Sequence, residues 1–325
     1  MPIKSLRRRR STSIGTLRGR HRTPRGRAYV PVQMRPRLTD RLPRPSRGGW
    51  AAIGSVAVAV LAVLLFVVPG PSHALISLVP PAFAPDEKPL PQSIAAGLGA
   101  LPLSDIVAAS GRKGLGITPP YSLPSSASSL SSGNKPEVLF ICDEYNGQCA
   151  DATWPLVIAL EKFGEFHSLG YVVSKGGVNP GTVGLDFYRS SYSSKYISFK
   201  GVELYTTRKS KSGAFQTLQR MDLSQEIFLA NWDVPPYSPG VSAVPFIDFG
   251  GPYYMASAGF DGKPLENLAS TAAAALGLTE SEVTSGSSKT SLAVQALAAR
   301  MVGSVCLVLE DSAPVCHGLP KSLLR

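Results

Sequence analysis

Between residues 135 and 309 the chain alternates short apolar runs with longer stretches of helical spacing, and this alternation sets the expected elements. The run 138–142 predicts a strand, 150–163 a helix, and 171–174 a second strand. Residues 197–206 read as a strand and 214–230 as a helix. Segments 244–249 and 253–256 read as a β-hairpin joined through Gly250-Gly251-Pro252, and 264–276 and 291–309 as helices. Alternating strands and helices predict an α/β layer architecture. In the first helix, Leu156, Ile158, Ala159, Leu160 and Phe163 supply the buried face, and Pro155 bends the helix or bounds its first turn. Phe187, Tyr188, Tyr192, Tyr196 and Phe199 suit packing at a sheet face, with a ligand groove as the alternative.

Upstream the pattern changes. Residues 50–68 are nineteen in a row without a charge, a helix long enough to cross a hydrocarbon core of about 30 Å. Pro69-Gly70-Pro71 ends it. Arginine on its N-terminal flank alone predicts a single-pass anchor in the cell membrane, with a cytoplasmic N-terminus and an extracellular remainder. A cleaved signal peptide, with Ser72-His73-Ala74 as its site, is the rival, but the apolar core and the preceding arm are both too long for it. Residues 69–134 read as a Pro/Ser/Gly-rich stalk with a short helix near 91–110, so the folded domain is expected over 135–325.

The charge is as uneven as the hydropathy. Residues 1–49 carry fourteen Arg and Lys4 against Asp40 alone, whereas the rest has 18 basic and 21 acidic residues, a net charge of −3. The tail reads as a disordered topogenic arm that can also touch anionic lipid. It lacks the aromatic interleaving and helical periodicity of a sequence-reading nucleic-acid module. An extracytoplasmic protein or peptide partner is expected, of unknown identity.

All four cysteines, Cys142, Cys149, Cys306 and Cys316, fall on the expected external side, where disulfides persist. Cys306 and Cys316 flank a turn and predict a structural bridge. His21, His73, His167 and His317 have no metal-ligand spacing, and no metal or cofactor is expected. The stretch 176–184, GGVNPGTVG, lacks the Gly-Lys-Ser/Thr ending of a phosphate loop and reads as an ordinary loop. Asp143, Glu144 and Asp248 either sit near the turn after 142 and tune its chemistry, or are solvated charges at strand ends.

That turn, Asn146-Gly147-Gln148-Cys149 between strand and helix, resembles a thioredoxin-type Cys-X-X-Cys whose first cysteine is replaced by Asn146. Val244-Pro245 before a strand and hairpin resembles the cis-proline loop of the same fold. Lys135–Phe140, Glu144-Tyr145, Trp154, Ala159–Gly164, Ser190–Tyr192, Tyr196–Phe199, Glu203–Thr206, Val244–Asp248 and the pair Cys306 and Cys316 resemble the domain-of-unknown-function 929 family of archaeal and actinobacterial proteins. The resemblance implies a thioredoxin-like domain of uncharacterised function, and the missing attacking thiol implies loss of ordinary dithiol–disulfide exchange. The alternative is a thiol–disulfide oxidoreductase in which Cys142 has become the partner of Cys149. On the residues alone these two cysteines are core thiols, a structural bridge or a redox-active one.

Overall fold

The run 138–142 lacks polar alternation because it is covered on both faces. The computed structural model describes residues 84, 86–124, 129–238, 244–262, 265 and 272–324. The anchor segment 50–68 and the basic arm 1–49 lie outside the described residues. Ser77–Arg325 clusters as one unit.

In chain order its strands are β1 Lys88–Pro89, β2 Tyr121–Ser122, β3 Ser131–Ser132, β4 Lys135–Cys142, β5 Gly164–His167, β6 Gly170–Val173 and β7 Val183–Asp186. They continue as β8 Ser191–Ser194, β9 Ser198–Glu203, β10 Tyr205–Lys209, β11 Phe215–Thr217, β12 Phe246–Phe249 and β13 Tyr253–Met255. The helices are α1 Gln92–Ala100, α2 Leu103–Ser110, α3 Gly147–Leu160, α4 Leu223–Trp232, α5 Ala272–Thr284 and α6 Lys289–Val308.

The fold is mixed α/β. Its main sheet runs β2-β13-β12-β4, and beyond β4 come β3 at its start and β9 along the rest. Only β9 is parallel to β4, in register from Glu137↔Ser198 to Cys142↔Glu203, and the other pairings are antiparallel. Val138, Phe140 and Cys142 face a large core shared with α1, α2, α3 and α6. Leu139 and Ile141 face a second core with Val202, Phe246 and the α4 residues Phe228 and Leu229. A strand buried on both faces needs a continuous apolar run.

Four expectations change. Residues 92–110 are no stalk: Leu98 of α1 and Ile106 of α2 are fully buried, and Lys162 Nζ donates to the carbonyls of Gly99 and Leu101 at 2.9 and 2.6 Å. Their Ala, Gly and Pro content mimics a linker, whereas small residues here let short helices pack closely. The helix expected over 214–230 is instead the hairpin β10–β11 followed by α4, which starts at a capping box of Asp222 and Gln225. The strand expected over 197–206 divides at Leu204, where the chain leaves parallel pairing with β4 for antiparallel pairing with β11. The helix expected over 264–276 is described from Ala272 and runs to Thr284.

The helix α6 is long and apolar enough to cross a membrane by length and composition. Most of it is buried within the domain, including Val294, Leu297, Met301 and Val302. Pro155 lies inside α3, beyond its first turn.

Candidate functional site

After β4 the chain turns through Asp143–Tyr145 and enters α3. The amide of Asn146 donates to the Asp143 carbonyl at 3.0 Å, and Asn146 then serves as the N-cap, its Oδ1 accepting from the Gln148 amide at 3.0 Å. An asparagine is suited to this position because its side chain satisfies an amide left without a helical partner. Asn146 therefore does structural work on the helix end.

Cys149, three residues further on, faces back toward β4 and is bridged to Cys142, with the Cα atoms 5.8 Å apart. The Asp143 amide donates to Cys149 Sγ at 3.2 Å. Cys142 and Cys149 are 0% and 3% exposed, so the bridge lies in the core. Among the described residues there is no free cysteine.

The N-terminus of α3 is roofed by the loop 174–182. Lys175 and Gly176 amides donate to the Tyr145 carbonyl at 3.1 and 2.9 Å. A Cβ on Gly147 would come within 1.7 Å of the Asn179 carbonyl oxygen, so only glycine permits this approach. That carbonyl accepts from the hydroxyls of Ser174 and Thr182, while Asn179 Nδ2 donates to Asp151 at 2.8 Å. Phe215 of the β10–β11 hairpin stacks on Tyr145 with ring centroids 3.8 Å apart and covers Gly176. The glycine-rich stretch 176–184 thus contributes a lid over the helix end.

Behind the bridge lies a group of carboxyls. Glu87, Asp143, Glu144, Asp186 and Glu203 are all buried. A cavity of about 10 Å³ is lined by Cys149, Asp143, Glu144, Asp186 and Glu203, among others, which is room for about one water. Burial pushes the Asp143 carboxyl up to about 6, against a hydrogen bond from Tyr145. Burial raises Glu144 and Glu203 well above the carboxylate range, and their mutual proximity and that of Asp186 add to it. Glu87 and Asp186 are raised mainly by burial. The Glu144–Asp186 contact is a hydrogen bond when one of the two keeps its proton.

Glu87 reaches this group from the N-terminal strap that β1 adds to β6. A Cβ on Gly170 would meet Glu87 Oε1 at 2.0 Å, so the strand is open there to admit it. The preceding Asp86 accepts from Lys175 Nζ at 2.7 Å, Thr207 Oγ1 at 2.6 Å and Arg208 Nε at 3.0 Å. Partial burial opposes its ionisation, but these donors hold it well below the usual carboxylate range.

Of the other residues singled out in the sequence, Val244-Pro245 is a cis peptide just before β12. Phe246 pairs with Ile141, which sets Pro245 beside the Cys142 end of β4. Asp248 is fully buried within β12, its carboxyl raised to about 8 by burial, and it accepts from the Gly251 amide at 2.7 Å rather than joining the turn. Cys306 and Cys316 are bridged, tying the end of α6 to the short 3-10 turn Pro314–Cys316. Phe166, Phe187, Tyr192 and Phe199 pack on one another in the core. His167 contacts Ser193 and His317 the Asp311 carbonyl. No group of three or more His, Cys, Asp or Glu among the described residues is disposed to hold a metal ion.

Asp86, Glu87, Asp186 and Glu203 were not singled out by sequence pattern. Asp186 and Glu203 each interrupt an apolar strand, 183–187 and 202–204, and a lone carboxyl in such a run is the signal that marks them. Nothing local marks Glu87, which sits in a proline-rich stretch.

No curated protein and no solved structure matches the chain. Residues 121–228, which include β4, the bridged turn, α3 and its roof, match the family model described as Domain of unknown function (DUF929).

Proposed function

We propose that this chain is a single-pass membrane protein whose extracytoplasmic, thioredoxin-like domain serves as a binding or structural module and does not carry out dithiol–disulfide exchange. Support for the thioredoxin-like reading comes from the βα turn at 142–149 and the order β13-β12-β4-β9 with β9 alone parallel. The anchor reading rests on the uncharged stretch 50–68 and its arginine flank.

The observation that carries the loss of exchange is the closed helix end. Exchange needs an exposed thiolate at the N-terminus of the helix to attack a substrate sulfur. Here that position holds the capping Asn146, the neighbouring Gly147 touches Asn179, and both sulfurs are buried in a bridge.

A second reading, an oxidoreductase cycling the Cys142–Cys149 bridge, draws support from the cavity in which Cys149 meets buried, readily protonated carboxyls. Such groups can supply a proton to a leaving thiolate. The two readings part on one experiment with the full-length protein in detergent and a model disulfide plus dithiol. Turnover equal to the uncatalysed rate is expected, for the wild type and for Asn146→Cys alike. Turnover abolished by Cys149→Ser would establish the second reading in place of the first.

A further inference from the structure

The formal charge of −3 for the outer part conceals the sign of its surface. Of the twenty carboxyl side chains among the described residues, eight are buried: Glu87, Asp143, Glu144, Asp151, Asp186, Glu203, Asp233 and Asp248. None of the sixteen described Lys and Arg is buried, so twelve surface carboxyls face sixteen cations.

The cations gather where the chain enters the domain. Lys175 and Arg208 both reach Asp86, and Lys88 lines a shallow pocket with Asp86 and Lys175. Arg189 is close enough to Glu87 to act on its carboxyl. Lys209 lies over the Phe215 ring at 5.1 Å, and Lys211 sits in the exposed turn of the same hairpin. Asp86 is shared between Lys175 and Arg208.

We propose that this surface, centred on the β10–β11 hairpin and the strap 86–88, rests on the anionic headgroups of the membrane that anchors the chain. The inference builds on the anchor reading of 50–68. The described chain begins at Ala84, two residues before Asp86, and fifteen residues separate Ala84 from Val68. Fifteen residues span at most about 55 Å even when fully extended, so the tether keeps the strap within that reach of the bilayer. Basic side chains near a bilayer are attracted within a Debye length of about 10 Å. An acidic protein could meet the same charges, but the tether makes lipid the anionic surface that stays within reach of this face.

The test uses the full-length chain reconstituted into vesicles of phosphatidylcholine, alone or with about a third phosphatidylglycerol, read by hydrogen exchange over 205–217. With the anionic lipid, exchange in the hairpin should slow by about threefold or more. The slowing should vanish in high salt and in Lys88→Glu with Lys211→Glu, two exposed positions whose change leaves the core intact. Equal exchange in both vesicles, with the protein still resistant to alkaline carbonate, would overturn the lipid contact while leaving the anchor standing. Extraction by carbonate would overturn the anchor and the contact together. Slowing produced by soluble polyglutamate in neutral vesicles, with none from anionic lipid, would reassign the surface to an acidic protein.

Discussion

Asn146 and Gly147 together close the N-terminal end of α3. Asn146 caps the helix, and Gly147 lets the Asn179 carbonyl rest against its first turn. Gly147→Ala should cost about 1–3 kcal/mol in denaturant unfolding, because backbone on both sides must move to admit the methyl group. A midpoint within error of wild type would mean that the roof is loose. Asn146→Ala should cost about 1 kcal/mol through loss of the cap, while Asn146→Ser should be close to neutral. Equal losses for Ala and Ser would show that capping is not what the asparagine contributes. The Asn146 cap is a local feature, but the reason for the glycine beside it lies 32 residues away, in a loop that reads as ordinary.

Among elements, β4 and α3 are the most readable, since a strand buried on both faces and a helix buried nearly all round each demand an apolar run of the right length. The hairpin β10–β11 is the least readable, because its residues have neither clear alternation nor a helical stripe and its fixed points are Asp86, Tyr145 and Gly176, all remote in sequence. The capping box of Asp222 and Gln225 starts α4 at Leu223, whereas the apolar spacing alone begins that helix at 214. The Cys142–Cys149 bridge staples β4 to α3 across seven residues. Replacing both cysteines with alanine should lower unfolding stability by about 2–3 kcal/mol, by the loop-entropy relation, with the helical signal in circular dichroism retained. An unchanged unfolding midpoint would show that the staple adds nothing to the packing around it.

At the scale of the whole molecule, six buried carboxyls, Glu87, Asp143, Glu144, Asp186, Glu203 and Asp248, make stability depend on pH in an unusual direction. A buried carboxyl raised in the folded state binds its proton more tightly than in the unfolded chain. Its contribution is complete below the ordinary carboxylate range and is lost as pH rises through the folded value. Asp143 at about 6 and Asp248 at about 8 place that loss between roughly pH 4 and pH 8, and the raised values of Glu144 and Glu203 extend it upward. Thermal unfolding should therefore occur at progressively lower temperature from pH 5 to pH 9, and Glu203→Gln should flatten the slope. A profile that rises over this range would contradict the burial of these acids as ionisable groups. The sequence by itself determined the α/β alternation, the strand–turn–helix around 142–149 and the two cysteine pairs as candidates, because hydrophobic period and residue type act locally. Only the tertiary structure decided that 92–110 belongs to the core, that Cys142 and Cys149 join beneath a roof, and that carboxyls from residues 87 to 203 share one interior. Those facts depend on which distant segments come within a few ångströms, and charge or spacing along the chain does not carry that information.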